Sequence, residues 1–309
     1  MRIYVAGING MVGSAIALEA KSLGYEILGK SSGALDLTNR NDVFKEMQTT
    51  KPDCLVIAAA KVGGIGANSY QPVDFLSVNL QIQTNLLDAA NAADISKVLF
   101  LGSSCIYPKF APQPITESSL LTGELEPTNE AYAIAKIAGL KLVEAYRRQF
   151  GRNWISAMPT NLYGPRDNFN LETSHVLPAL IHRFHNAKVN GDRSVEVWGN
   201  GTPLREFLYV DDLARACMEL LLNYDDSAAI NIGSGQEISI KNLALLISEV
   251  VDFRGEITFN TEHPNGTPRK LLDNGRISKL GWIPQVNLAD GIALTYDWFL
   301  AHYKNGGTP

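Results

Sequence analysis

Cysteine is scarce in this sequence, and its three cysteines, Cys54, Cys105 and Cys217, lie far apart along the chain. An odd number of widely spaced thiols fits neither a disulfide framework nor a zinc site, so we predict no metal site and a reducing compartment. No signal peptide is expected either, because the chain opens directly into the strand-like segment 2–6. We therefore expect a cytoplasmic protein.

Long apolar runs and an excess of basic charge are also absent. The longest wholly apolar run covers residues 54–60, well below the about 20 residues that cross a bilayer, so no membrane partner is predicted. The net charge of −5 argues against a nucleic-acid partner, because a phosphate backbone requires a basic surface. A chain of 309 residues with 45% hydrophobic content suits one large globular domain, or one domain with a smaller companion.

Short apolar runs alternate with helix-like segments in the first half of the chain. These runs are residues 2–6, 26–29, 54–59, 98–101 and 155–158. Near-continuous apolar strands are typical of a parallel sheet that helices cover on both faces. We predict an α/β fold with a Rossmann-type, doubly wound parallel sheet.

The pattern changes after Pro165, where Asn, His, Pro and Gly become frequent. Further on, the sequence predicts helices near 176–186, over 239–251 and near 288–303, and another that ends near Leu222. It predicts strands over 205–210, 229–232 and 257–260. A basic loop is expected over 266–270. We expect these elements to form a smaller α/β domain that is interleaved with the first.

A glycine-rich turn follows the first predicted strand. Gly7, Gly10 and Gly13 have GxxGxxG spacing, and Met11 and Val12 open the next helix. Glycines here allow a tight turn and a close approach to a pyrophosphate at the helix N-terminus. The turn therefore favours a bound dinucleotide, with a purely structural tight turn as the alternative.

The end of the second strand indicates which dinucleotide is bound. Residues 29–33 contain Lys30 and no carboxylate, and the first acidic residue after them is Asp36. A carboxylate at this place favours NAD, whereas basic or small polar residues leave room for a 2′-phosphate. We predict NADP(H) as the cofactor.

Tyr132 and Lys136 are four residues apart on one predicted helix, and Ser103 ends the fourth apolar run. An ammonium about 4 Å from the phenol contributes about 4 kcal/mol, which predicts a tyrosine pKa lowered by nearly three units. Such a tyrosine exchanges protons readily near neutral pH, and Ser103 can hold the substrate oxygen. A chance surface pair is the alternative, but the order of glycine turn, serine and Tyr/Lys pair is that of short-chain dehydrogenases/reductases.

Six further stretches resemble one group of extended short-chain reductases, the GDP-L-fucose synthases, and the resemblance covers essentially the whole chain. The stretches are 58–65, 101–109, 126–132, 158–165, 201–207 and 266–270. The resemblance implies 3,5-epimerisation and NADPH-dependent 4-reduction of GDP-4-keto-6-deoxy-D-mannose. It implies a NADP-binding domain of residues 1–164 with about 203–232. Residues of about 165–202 and 233–309 mainly form the GDP-sugar domain.

The same resemblance implies that Cys105 is the base and His175 the acid of the epimerisation, while Tyr132 protonates the C4 oxygen. A 4-keto group acidifies the protons on C3 and C5, and a thiol and an imidazole both titrate close to neutrality. A small core cysteine and a solvated surface histidine are the alternatives, and surface positions are expected for His182 and His185.

Binding residues are likewise carried over from the resemblance. For the cofactor they are Gly7, Gly10, Met11, Val12, Gly13, Lys30, Ala58, Ala59, Lys136, Pro159, Asn161, Leu162 and His175. For the substrate they are Ser104, Asn161, Arg183, Trp198, Arg205 and Lys270, although Trp198 could equally serve packing. The family pattern has basic residues where Asn9 and Ser32 stand here, which predicts a weaker preference for NADP.

Three alternatives remain open. A 4,6-dehydratase is disfavoured because Ser104 and Cys105 occupy the places of its Asp-Glu pair. A reductase or epimerase of a related GDP-keto-deoxysugar or keto-heptose is possible, and so is a dinucleotide-sensing scaffold without turnover.

An apolar stripe (Ile137, Leu140, Val143 and Ala145) predicts a homodimer, with core packing as the other explanation.

Overall fold

The computed structural model describes residues 1–262 and 266–303. Its strands are β1 (Arg2–Ala6), β2 (Glu26–Leu28), β3 (Cys54–Ile57), β4 (Lys97–Leu101), β5 (Asn153–Pro159), β6 (Asn161–Tyr163), β7 (Ser194–Trp198), β8 (Leu204–Tyr209), β9 (Ile230–Ile232), β10 (Glu237–Ser239), β11 (Glu256–Asn260) and β12 (Arg269–Lys270). Its helices are α1 (Met11–Ser22), α2 (Arg40–Thr50), α3 (Ile65–Tyr70), α4 (Pro72–Ala92), α5 (Glu130–Phe150), α6 (Val176–Asn190), α7 (Val210–Asn223), α8 (Ile240–Val251), α9 (Gly275–Ser278) and α10 (Leu288–His302).

A six-stranded parallel sheet with the order β2-β1-β3-β4-β5-β9 forms the larger half of the molecule. The chain runs outward from β1 to β2 and then to β3 on the other side, so the strand order reverses between β1 and β3. Ligands of such sheets bind in the crevice at this reversal, outside the carboxyl ends of the strands. The predicted doubly wound fold is confirmed, and the ends of β1, β3, β4 and β5 mark the site.

Helices cover both faces of this sheet, as its continuous apolar strands require. Helices α1 and α7 pack on one face, around Ile16, Leu213 and Cys217. Helices α4 and α5 pack on the other face, where Leu140 and Val143 are 1% and 2% exposed. Ile137 is half-buried and packs against the same core. Core packing therefore accounts for three of the four members of the predicted stripe.

A second sheet joins β10, β8 and β12, and β6 pairs with β8. Because β6 begins two residues after β5 ends, the chain passes directly from the first sheet into the second. The short strands β6, β7 and β10 were not predicted. Residues 269–270 form β12, which pairs in parallel with β8, so the expected loop over 266–270 is wrong for these two residues.

No helix in residues 1–262 and 266–303 is long and apolar enough to cross a bilayer. Within the same residues, no group of three or more His, Cys, Asp and Glu side chains could hold a metal ion.

Candidate active site

The turn after β1 requires glycine at two positions. Gly7 has φ +89°, and a Cβ there would lie 2.8 Å from the backbone nitrogen of Ala59. A Cβ on Gly13 would lie 2.1 Å from the carbonyl oxygen of Gly7. The backbones of the turn, of α1 and of the loop after β3 therefore approach one another more closely than side chains allow.

The N-terminus of α1 is open to an anion. Gly10 precedes the helix without a capping side chain, and the first turn, which includes Met11 and Val12, contains no acidic residue. Free amides at a helix N-terminus, beside a turn without side chains, fit the pyrophosphate of a dinucleotide. Ala58 and Ala59, which follow β3, and Pro159, which ends β5, lie at the same sheet edge.

Asn161 and Leu162 follow this edge in β6, and the Asn161 side-chain amide donates to the carbonyl of Glu206 at 2.7 Å. Lys30 lies at the outer end of β2. Its ammonium lies 2.5 Å from the carboxylate of Glu46, whose side chain is 8% exposed. A 2′-phosphate at Lys30 must therefore share this cation with Glu46.

The predicted pair of Tyr132 and Lys136 lies on the first two turns of α5, against the end of β4. The Lys136 ammonium donates to the carbonyl of Leu101 at 2.8 Å and lies 5.8 Å from the centre of the Tyr132 ring. Burial lowers the pKa of Lys136 to about 8, because a charged ammonium is costly away from water.

The hydroxyl of Tyr132 is hydrogen-bonded to the side chain of Ser103. Burial raises the pKa of Tyr132, and the neighbouring Cys105 acts in the same direction. The expectation that Lys136 lowers this pKa is therefore wrong for the protein without ligand. Its ammonium is directed to Leu101 and lies near the ring instead of pairing with the phenol oxygen. Tyr132 keeps its proton at neutral pH and is a hydrogen-bond donor.

Cys105 lies in the short turn after β4, where its amide donates to the Ser103 hydroxyl at 3.2 Å. Its sulfur lies 3.4 Å from the ammonium of Lys270. Lys270 pairs with Arg205 across β12 and β8, so two cations that are distant in sequence are adjacent. Burial lowers the pKa of Arg205 to about 10, and the neighbouring Cys105 and Glu126 side chains act in the opposite direction.

Cys105 and Lys270 border one small cleft. It is lined by Ser104, Cys105, Tyr107, Pro108, Ile115, Glu126, Asn129, Thr267 and Lys270. Asn129 was not predicted, and its side-chain oxygen is buried without a hydrogen-bond partner. Its only sequence signal was its place directly before α5, in the stretch 126–132.

His175 immediately precedes α6, at the end of a loop that packs on the turn after β3. Desolvation lowers the pKa of His175, and the Lys270 ammonium acts in the same direction. The residue as a whole is nevertheless exposed, so solvent can reach it. The charge of Lys270 thus acts on both predicted acid/base groups.

Arg183 and Trp198 form a pair beyond this cleft. The guanidinium carbon of Arg183 lies 4.6 Å from the centre of the Trp198 ring, and the guanidinium also donates to the carbonyl of Glu196 at 3.2 Å. Trp198 is 47% exposed, so part of this residue is in contact with solvent. His182 is buried and bonded to Phe169 and Tyr303, so its expected surface position is wrong.

Glu206 is a buried residue of the site region that the sequence did not reveal. Its carboxylate accepts from the amides of Gly235 at 2.7 Å and Leu272 at 3.1 Å. It joins β8 to the segment after β12 and so fixes the register that places Lys270 beside Arg205. An acidic residue inside an apolar strand was its only sequence signal.

Residues 3–233 match the model of the NAD dependent epimerase/dehydratase family. The chain is 57% identical to GDP-L-fucose synthase 1 of Arabidopsis thaliana over 98% of its own length and 94% of that protein. It also resembles the GDP-6-OMe-4-keto-L-xylo-heptose reductase of C. jejuni, with a TM-score of 0.93, 34% identity and 98% of each chain covered. A GDP-L-fucose synthetase from Naegleria fowleri bound to NADP gives a TM-score of 0.90, with 30% identity and coverage of 98% and 95%.

Proposed function

The chain belongs to the NAD dependent epimerase/dehydratase family, and from this premise we propose that it converts GDP-4-keto-6-deoxy-D-mannose to GDP-L-fucose. It is a NADP(H)-dependent epimerase/reductase that inverts C3 and C5 of the sugar and reduces C4. The observation that carries the assignment is the high identity to a GDP-L-fucose synthase along nearly the whole chain. The predicted function and cofactor are confirmed at this level.

The residues at the carboxyl ends of β1 and β3 would hold the cofactor. The amides that follow Gly10 would bind the pyrophosphate, and Lys30 would contribute to the 2′-phosphate. Lys136 would bind the nicotinamide half, with Ala58, Ala59, Pro159, Asn161 and Leu162 at the same sheet edge. NADPH supplies the hydride for the reduction of C4.

Reduction requires a proton at the C4 oxygen, and Tyr132 supplies it. The phenol is protonated at neutral pH because burial raises its pKa. Its proton passes to the oxygen while Ser103, which bonds the same hydroxyl, holds the carbonyl in line. The cation of Lys136 stabilises the resulting phenolate, which regains its proton from solvent.

Epimerisation proceeds by proton exchange at carbons next to the 4-keto group. The Cys105 thiolate takes the proton from C3 or C5, and the electron pair of the C–H bond moves to the C4 oxygen as an enolate. The His175 imidazolium returns a proton to the opposite face. The enzyme then holds a neutral thiol and a neutral imidazole, and exchange with solvent restores the starting state.

The GDP moiety extends from the cleft toward α6. Arg205 and Lys270 bind the diphosphate, because a guanidinium and an ammonium side by side match its charge. Arg183 and Trp198 border the nucleotide, and Ser104 and Asn161 contact the sugar. The cofactor thus belongs to residues 1–164 with about 203–232, and the GDP-sugar mainly to residues of about 165–202 and 233–309.

The enzyme is a cytoplasmic homodimer in this proposal. The three cysteines are free, which suits a reducing compartment. Ile134 on α5 is 42% exposed and offers apolar surface on the helix with the predicted stripe. A monomeric mass by light scattering at micromolar concentration would remove the homodimer.

Turnover of GDP-4-keto-6-deoxy-D-mannose with NADPH in deuterated water, with the product analysed by NMR, tests the function. We expect GDP-L-fucose with deuterium at C3 and C5. Reduction without inversion would leave a plain 4-reductase.

A second candidate is reduction of a GDP-keto-heptose, favoured by the likeness in structure to the C. jejuni heptose reductase. Competition between the two sugars in one reaction separates the candidates, because kcat/KM is larger for the true substrate.

A further inference from the structure

Lys270 contacts the sulfur of Cys105, with its ammonium 3.4 Å away. We propose that Lys270 is a positioning residue that holds Cys105 as a thiolate and thereby makes this cysteine the base of the epimerisation. The reaction in which it acts rests on the proposed function. The ammonium–sulfur contact exists without any sugar.

The backbone around Lys270 is bonded on both sides, so the side chain has a defined direction. Lys270 pairs with Arg205 in β8. The Leu271 amide donates to the Gln113 side chain at 2.8 Å, and the Leu271 carbonyl accepts from the Ile115 amide at 2.7 Å. Successive strand side chains point to opposite sides, and the preceding Arg269 accordingly bonds Glu237, 2.8 Å away.

Several other charged or titratable groups face Cys105 from neighbouring elements. Arg205 on β8 adds a second cation, and Tyr132 on α5 is neutral because burial raises its pKa. Glu126 lines the same cleft, but its carboxylate is bonded to the Thr128 amide at 2.9 Å and lies 3.7 Å from the Lys109 ammonium. The Lys109 ammonium thus offsets the charge of the Glu126 carboxylate, whereas the Lys270 ammonium is in contact with the Cys105 sulfur.

A cation in contact with a sulfur atom stabilises the ionised form of a thiol relative to the neutral form. An opposite charge within about 4–6 Å lowers a pKa by about one to three units, and cysteines beside lysine have values of about 3.5–7.5. The same charge disfavours protonation of His175. Lys270 therefore favours a proton-accepting sulfur and adds to the desolvation that makes the His175 imidazolium more acidic.

Two inversions in one turnover require the base to act twice. After the first transfer, the proton is bonded to the Cys105 sulfur and the electron pair lies on the enolate oxygen. The neutral thiol then faces an ammonium, which favours release of that proton to solvent. Lys270 forms and breaks no bond in either transfer and stays beside the sulfur for the second carbon.

Alkylation of Cys105 by iodoacetamide between pH 5 and 10, mapped by peptide mass spectrometry on the protein without ligand, tests the proposal. The pH midpoint of Cys105 alkylation in the wild type should lie about one to three units below the ordinary thiol pKa of about 8.5. In Lys270→Met the midpoint should rise by at least one unit, so that the thiolate fraction at pH 6 falls about tenfold or more.

Matched variants separate charge from structure. Lys270→Arg keeps a cation and should keep the low midpoint, whereas Arg269→Gln removes the adjacent charge and should leave Cys105 unchanged. Cys54 and Cys217 are buried, so they should not be modified while the protein is folded. Cys105→Ser identifies the reactive peptide.

A wild-type midpoint at or above about 8.5, or equal midpoints in wild type and Lys270→Met, would overturn the proposal. If Lys270→Met does not fold, the midpoints of the wild type and of Lys270→Arg test the proposal. If Lys270 only bound the diphosphate, Lys270→Met would raise KM and leave the pH midpoint of Cys105 alkylation unchanged. Because alkylation needs no sugar, failure of the proposed function appears separately, as absence of turnover in the wild type.

Discussion

The amide of Gly64 donates to the carbonyl of Thr173 at 2.8 Å, and this bond ties the turn after β3 to the loop that ends at His175. A Cβ on Gly64 would lie 2.4 Å from the carbonyl oxygen of Ser174. This backbone contact therefore joins the cofactor side of the crevice to the loop of His175, the proposed acid of the epimerisation. The contact is possible because Gly64 has no side chain.

Gly64→Ala should displace His175 and slow deuterium incorporation at C3 and C5. A displacement of about 1 Å costs about a hundredfold in rate when it separates reacting groups. Gly66→Ala is the matched control, because its Cβ would lie 3.6 Å from the nearest atom, the carbonyl oxygen of Glu172. Equal exchange rates in both variants would show that this contact does not position His175.

Gly13→Ala should weaken NADPH binding more than tenfold and lower Tm, because its Cβ would overlap the carbonyl oxygen of Gly7 at 2.1 Å. Overpacking of this kind typically costs about 1–3 kcal/mol. Gly33→Ala meets no atom within 4 Å and should leave both quantities unchanged. Fluorescence titration with NADPH and thermal unfolding measure the two effects, and an unaltered Kd in Gly13→Ala would contradict the pyrophosphate site.

Tyr132→Phe should lower the rate of C4 reduction by about 10²–10⁴, the usual contribution of a positioned acid. Exchange at C3 and C5 should persist, because Cys105 and His175 remain in place. The control is Tyr70→Phe, since Tyr70 is 88% exposed. Reduction by Tyr132→Phe at the wild-type rate would remove Tyr132 from the mechanism.

The lowered pKa of Lys136 predicts the pH dependence of cofactor capture. Lys136 is charged below about pH 8 and loses its proton above it, so kcat/KM for NADPH should decline on the alkaline side of that value. This parameter reports the free enzyme. In Lys136→Arg the decline should disappear, because a guanidinium stays charged. A flat profile through pH 10 in the wild type would contradict the assignment.

Glu46 should limit the preference for NADP, because its carboxylate lies 2.5 Å from the Lys30 ammonium. Glu46→Gln frees this cation and should shift the ratio of the Kd values for NADH and NADPH about fivefold toward NADPH, equivalent to about 1 kcal/mol. Asp42→Asn removes an exposed carboxylate from the same helix and is the control. A ratio unchanged by Lys30→Met would show that Lys30 does not contact the 2′-phosphate.

The sequence predicted the larger sheet well because its strands are continuous apolar runs. β1, β3, β4 and β5 lie where these runs predicted them, within two residues at either end. The glycine turn and the Tyr132–Lys136 spacing were also visible, since both depend on neighbours within one turn or one helix.

Features set by distant partners could not be predicted in this way. β12 has two residues and exists because it pairs with β8, so the adjacency of Lys270 and Arg205 had no local signal. The predicted lowering of the Tyr132 pKa was wrong for a similar reason, since burial raises it. The helix spacing predicted the effect of the Lys136 charge, but it carries no information on the burial of the phenol or on the competing carbonyl of Leu101.

The late position of β12 in the chain has a consequence for synthesis on the ribosome. The parallel sheet has all its strands once β9 is made, at residue 232, and by then Ser103, Cys105, Tyr132 and Lys136 have already been translated. Lys270 is made afterwards, and the β8–β12 pairing cannot form before it. A chain that ends between these points carries every strand of the larger sheet, yet it lacks the lysine that contacts its cysteine. It lacks Ile277 and Trp282 as well, which complete the core on the α1 and α7 face of that sheet.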